Sequence, residues 1–142
     1  MIFKNLMTLD RFMELKHSYI QDDLIVEKAK INGIEIPYNV YVYGGNSYGK
    51  GRNEHGEPHF YVYNKSKKLQ VIFKIPSTNQ WKNKKELIII ENNFKNVKTV
   101  ENIIIDWLDD NNEEQIKLTN LELIRYLWNT LNKENKNVYQ IK

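Results

Sequence analysis

Residues 57–76 read Glu57-Pro58-His59-Phe60-Tyr61-Val62-Tyr63-Asn64-Lys65-Ser66-Lys67-Lys68-Leu69-Gln70-Val71-Ile72-Phe73-Lys74-Ile75-Pro76. Successive side chains of a strand point to opposite faces, so Phe60 and Val62 belong to one face and His59, Tyr61 and Tyr63 to the other. After the polar run from Asn64 to Lys68, alternation resumes with Leu69, Val71, Phe73 and Ile75, and Pro76 ends it. Two alternating segments around a short polar tip predict an antiparallel hairpin.

Working outward, Val40-Tyr41-Val42-Tyr43 alternates in the same manner, valines on one face and tyrosines on the other. Asn32-Gly33 separates Leu24–Ile31 from Ile34–Ile36 and is a strong hairpin signal, because both central turn positions need positive φ. Pro37 cannot donate to a ladder, so that arm is expected to lie at an edge or to bend there. The continuous apolar run Leu87–Ile90 predicts a central strand. Helices flank this sheet. Leu9, Phe12, Met13 and Ile20 lie near helical spacing behind Thr8 as N-cap. Val100, Ile103, Ile104, Trp107 and Leu108 follow the i, i+3, i+4 pattern behind Thr99. Thr119-Asn120-Leu121-Glu122 spells a capping box and opens a helix whose Ile124, Leu127, Trp128 and Leu131 form one stripe. The expected fold is α+β in a single domain over residues 1–142. It has an N-terminal helix, an antiparallel sheet of about five strands, and two C-terminal helices packed on one face. Residues 133–142 form a frayed tail.

Composition agrees with this. A chain of 142 residues with 41% hydrophobic and 27% charged residues can build one core and is not of the disordered class. The absence of cysteine excludes disulfides and thiolate chemistry. No apolar run reaches membrane-span length, and Met1-Ile2-Phe3-Lys4-Asn5 lacks the pattern of a secretory signal, so a cytoplasmic location is expected. The net charge of +3 is mild, but it is unevenly spread. Basic residues dominate from Lys50 to Lys85, and acidic ones from Glu101 to Glu114, predicting a basic β half and an acidic helical flank.

Three stretches carry chemistry. Gly44-Gly45-Asn46-Ser47-Tyr48-Gly49-Lys50-Gly51 spells most of a phosphate-binding P-loop. Gly51, however, stands where a magnesium-holding hydroxyl is needed, and Gly56 and Pro58 follow where a helix should begin. Nucleotide hydrolysis is therefore not expected, although the loop amides with Lys50 and Arg52 suit an anion. The second set is His55, His59 and Tyr61. Imidazole exchanges protons near neutral pH and a phenol can stabilise an oxyanion, so with Lys50 and Arg52 these groups suit metal-independent RNA cleavage. The same histidines with Glu54 or Glu57 could hold a metal. A third reading makes His59 and Tyr61 plain cross-strand contacts, or contacts to a partner. The third stretch is the aromatic and basic surface of Tyr41, Tyr43, Tyr61, Tyr63 and Trp81 among Lys65, Lys67, Lys68, Lys82, Lys84 and Lys85. Rings beside lysines are the ingredients of single-stranded nucleic-acid binding, and equally of a solvated hairpin. Trp107 and Trp128 are read as core, and His17 is given no role.

Glu54-His55-Gly56-Glu57-Pro58-His59-Phe60-Tyr61-Val62 resembles the Glu-His-x-x-Pro-His-Phe-His-Val hallmark of a small bacterial family, domain-of-unknown-function family 4160. Trp107, Glu122-Leu123 and Trp128 look like that family's C-terminal tail. The resemblance covers residues 40–132 and makes residues 1–43 an addition to the family-like core. Tyr61 replaces the third histidine of the pattern, the preceding loop is longer, and the tryptophans are further apart. The resemblance implies a bacterial or phage protein of a toxin–antitoxin-like or mobile-element system, encoded beside a second small protein. The leading expectation is engagement of RNA, or of a nucleic-acid-bearing complex, through the basic β face, with anion contacts from Lys50, Arg52, Lys65, Lys67, Lys68 and Tyr63. The alternative is a non-enzymatic or inhibitory module gripping a protein partner from a neighbouring gene. No cofactor, resident metal or membrane is expected.

Overall fold

The computed structural model describes residues 23–26, 28–43, 57–113 and 116–132. The expected N-terminal helix and the tail after residue 132 lie outside them. Among the described residues the chain forms β1 (Asp23–Val26), β2 (Lys30–Ile31), β3 (Ile34–Glu35), β4 (Tyr38–Tyr43), β5 (His59–Asn64), β6 (Gln70–Lys74), α1 (Thr78–Asn83), β7 (Ile89–Asn92), α2 (Val97–Asp109), β8 (Asn111–Glu113), β9 (Ile116–Thr119) and α3 (Asn120–Leu131). The class is α+β. The main sheet has five antiparallel strands in the order β1-β4-β5-β6-β7, and β2-β3 and β8-β9 form two separate hairpins.

The β5–β6 hairpin stands near the middle, paired Phe60 to Phe73, Tyr61 to Ile72 and Val62 to Val71. Its polar tip turns through Lys67 at φ +62°, with Lys67 N–H donating to the Asn64 carbonyl at 2.9 Å. Val40 and Tyr41 of β4 face Val62 and Tyr61, so the two periods agree across three strands. One face therefore gathers Val40, Val42, Phe60, Val62, Val71 and Phe73, all buried against Ile104, Trp107 and Leu108 of α2 and Leu123, Ile124, Leu127 and Trp128 of α3. The other face carries Tyr41, Tyr43, Tyr61, Tyr63 and Ile72, with Ile90 packed against them.

Several local readings hold. Asn32 and Gly33 adopt φ of +51° and +81° and close the β2–β3 hairpin. Thr119 caps α3 as a full capping box, its hydroxyl accepting from Glu122 N–H while the Glu122 carboxylate accepts from Thr119 N–H. Pro37 lies at a bend between β3 and β4.

Others change. Leu24–Ile31 is not one arm: its first part joins the main sheet as β1, and Lys30–Ile31 turns into the small hairpin. Leu87–Ile90 does not form a central strand, because β7 is the edge strand in the sheet order and pairs only with β6. Its hydrophobic run instead buries Leu87 and leaves Ile88 and Ile89 exposed. The acidic segment ends α2 at Asp109 and continues as strand β8 rather than helix. That helix begins at Val97 behind Asn96, one turn earlier than a Thr99 cap implies. The short α1 was not anticipated. Ser77 caps it, accepting from Gln80 N–H at 3.2 Å, and Trp81 anchors it by burial. No helix among the described residues is long and apolar enough to cross a membrane.

Candidate functional site

The Glu57-Pro58-His59 segment enters β5 beside the end of β6. Ile75 N–H donates to the Pro58 carbonyl at 3.0 Å, and the Glu57 carboxylate pairs with Lys74 at 3.0 Å. His59 stands opposite Lys74 in the ladder. Its Nδ1 lies 2.7 Å from the Glu57 carbonyl oxygen. A carbonyl only accepts, so Nδ1 carries the proton. The ring is 1% exposed, with centroids 4.9 Å from Trp128 and 5.7 Å from Tyr61. The structure thus joins the motif histidine to the second tryptophan of the tail, which are far apart in sequence. It does so inside the protein rather than in an open cleft.

Tyr61 is also buried, edge-on to Tyr43 at 4.8 Å and stacked with Tyr63 at 6.0 Å. Tyr41, Tyr43 and Tyr63 are buried with it, and so is Trp81. The expected solvent-facing aromatic platform is corrected accordingly: the four tyrosines on neighbouring strands pack their large apolar bodies against one another, and Trp81 belongs to the helix-face core instead. The Tyr43 and Tyr63 hydroxyls meet at 3.4 Å. The Tyr41 hydroxyl is buried with no hydrogen-bond partner among the described residues.

Of the basic set, Lys65, Lys67 and Lys68 are exposed on the β5–β6 turn. Lys65 donates to the Asn39 side-chain oxygen at 2.8 Å and lies 3.6 Å from the Glu35 carboxylate. Lys67 holds its ammonium 4.5 Å from the centre of the Tyr41 ring, a cation–π contact. The basic half is also partly neutralised by its surroundings: Lys74 by Glu57, Lys84 by Glu86, and Lys85 by Asp109. Asp109 additionally accepts the Trp81 indole N–H at 2.8 Å. Partial burial pushes the Asp109 carboxyl up, but the Lys85 and Trp81 donors outweigh it and hold it below its ordinary range.

His55, Lys50, Arg52 and the glycine-rich loop, with Glu54 of the alternative metal set, lie outside the described residues. Among the described residues no three histidine or carboxylate side chains converge to hold a metal.

One residue escaped the sequence reading. Arg125 of α3 sits one turn before Trp128, and its Nε–H donates to the Pro76 carbonyl at 3.0 Å. Burial draws its guanidinium below the ordinary value, against the opposing pull of Glu122. Its place three residues before an apolar-stripe tryptophan was the available signal, since i and i+3 share a helix face. Comparison with protein-family models, curated proteins and solved structures yields no match to this chain.

Proposed function

We propose that this protein is a non-enzymatic binding module that grips a protein partner along the β7 edge of its sheet. The observation that carries this reading is the pair Ile88 and Ile89, 46% and 39% exposed and adjoining at β7. Among the described residues nothing pairs with the outer side of β7, so exposed isoleucines beside that strand offer both hydrogen bonds and apolar contact to an added strand. A register irregularity between Ile72 and Phe73 leaves Ile90 with no opposite residue in β6, and Ile90 packs against the tyrosine cluster, while Ile88 and Ile89 stay exposed. The closure of His59 and Tyr61 supports the same reading, because a group that moves protons for a substrate must be reached by it. The family resemblance adds the setting: a cytoplasmic two-gene or mobile-element system whose neighbouring gene supplies the partner.

Co-expression with the adjacent gene's product tests this directly. The expected result is a complex that survives gel filtration with the wild type and is lost with Ile89→Glu. A complex indifferent to Ile89→Glu would remove the edge strand from the interface.

A second reading is RNA engagement through the turn bearing Lys65, Lys67 and Lys68, with cleavage by His55, His59 and Tyr61. It is favoured by three exposed lysines within one tight turn. Cleavage of single-stranded RNA by the purified protein, abolished in a folded His59→Ala variant, would establish it over the first.

A further inference from the structure

Tyr41, Tyr43, Tyr61, Tyr63 and Ile72 form one sheet face, and each is only 2% to 9% exposed. Neighbouring rings shield one another's flanks, but strand side chains stand roughly perpendicular to the sheet, so a tyrosine carries its hydroxyl at the far end. The Tyr41 hydroxyl is nevertheless buried. Atoms must therefore lie beyond it. Among the described residues, Ile90 packs against this set and the Lys67 ammonium sits over the Tyr41 ring. The buried apolar residues of α1, α2 and α3 all belong to the opposite face. Two side chains do not roof four phenol rings.

We infer that the tyrosine face is an intramolecular docking surface for the chain's own N-terminal segment, whose Leu9, Phe12, Met13 and Ile20 lie across it as a third layer. That segment leads directly into β1, where Asp23 stands opposite Tyr43 in the ladder. A helix over Thr8–Ile20, as its spacing predicts, would be about 20 Å long, enough to cross the roughly 15 Å from β4 to β7. One apolar stripe on such a helix is what a half-built sheet face buries. The other long stretches outside the described residues suit the role less well. Residues 44–56 are glycine-rich, with Tyr48 as their one large apolar side chain, and residues 133–142 set Val138, Tyr139 and Ile141 among lysines and asparagines. The inference does not rest on the edge-strand reading. It does agree with it, because a sheet covered on both faces meets a partner at an edge.

The test is nuclear magnetic resonance of the full chain labelled at its methionine methyl groups. There are three methionines, Met1, Met7 and Met13, and Met13→Leu identifies the third signal. In the wild type, ring currents should displace the Met13 methyl upfield, with Overhauser contacts to ring protons of the β4 and β5 tyrosines. Phe12→Asp should abolish both and quicken nitration of Tyr41 and Tyr61 by tetranitromethane. A Met13 methyl at its free-chain position without tyrosine contacts overturns the inference. Contacts from those rings to Tyr48, or to Val138 and Ile141, in place of Met13 overturn the choice of segment. Contacts found only between differently labelled copies in a mixed sample overturn the intramolecular assignment. The contacts are read on the wild type, so an unstable Phe12→Asp leaves the test intact.

Discussion

The two faces of the central sheet are built from the same strands, yet they are held by different chemistry. On the helix face, Val40, Val42, Phe60, Val62, Val71 and Phe73, none with a polar side-chain atom, pack against the apolar residues of α2 and α3. On the opposite face, four phenol rings lie side by side, Tyr41 to Tyr63 at 5.0 Å and Tyr43 to Tyr61 at 4.8 Å. Their ring bodies pack as apolar groups, but each brings a hydroxyl that must find a partner when buried. Tyr43 and Tyr63 satisfy each other, while Tyr41 has no partner among the described residues. Burial alone therefore does not make the faces equivalent. One stabilises by area and fit, and the other also depends on where its polar atoms end up.

Substitutions can break or sharpen this contrast. The largest effect is expected from Trp128→Ala, which empties the helix face at a fully buried side chain. A loss of about 3–5 kcal/mol in urea unfolding follows from the size of the cavity. A loss below about 1 kcal/mol would show that the helix face is not the main source of stability. Tyr41→Phe should act in the opposite direction, raising stability by about 1–3 kcal/mol as an unsatisfied buried hydroxyl is removed. A fall in the denaturation midpoint would mean that this hydroxyl has a partner. Thr119→Ala removes the cap that starts α3 and should cost about 1 kcal/mol, a test of how much the helix face owes to local structure.

The smallest effect is pH-dependent. Asp109, at the end of α2, receives Trp81 of α1 and Lys85, and its carboxyl is held below its ordinary value of 3.8. A depressed carboxyl stabilises the fold above that value, and the contribution fades as pH falls through it toward the folded-state value. Asp109→Asn should flatten this part of the acid unfolding profile. The difference should be small and salt-sensitive because the pair is partly exposed. An unchanged profile would remove the ion pair from the account of how α1 is held.

How far the sequence reached depended on how local each determinant is. The alternation in residues 59–75 contained the central hairpin, and Asn32-Gly33 and the Thr119 capping box contained their own turns, because a few neighbouring residues decide φ, ψ and capping. The motif around His59 was legible as a strand entry. Its burial was not, because alternation assigns a face and leaves open what packs on that face. The lysines were legible as charge, and their pairing with Glu35, Glu57, Glu86 and Asp109 was not, since only the Lys84–Glu86 pair is local. Short α1 leaves no legible pattern although Ser77 offers a cap, because six residues carry almost no periodicity.

By itself, then, the sequence determined the α+β class, the parity of β4, β5 and β6 and the start of α3, all set by interactions within a few residues. Tertiary structure alone decided that Leu87–Ile90 leads into an edge, that His59 rests against Trp128, and that Arg125 reaches Pro76. Each of these is a juxtaposition of segments distant along the chain, and its outcome depends on which surfaces the whole fold leaves for one another.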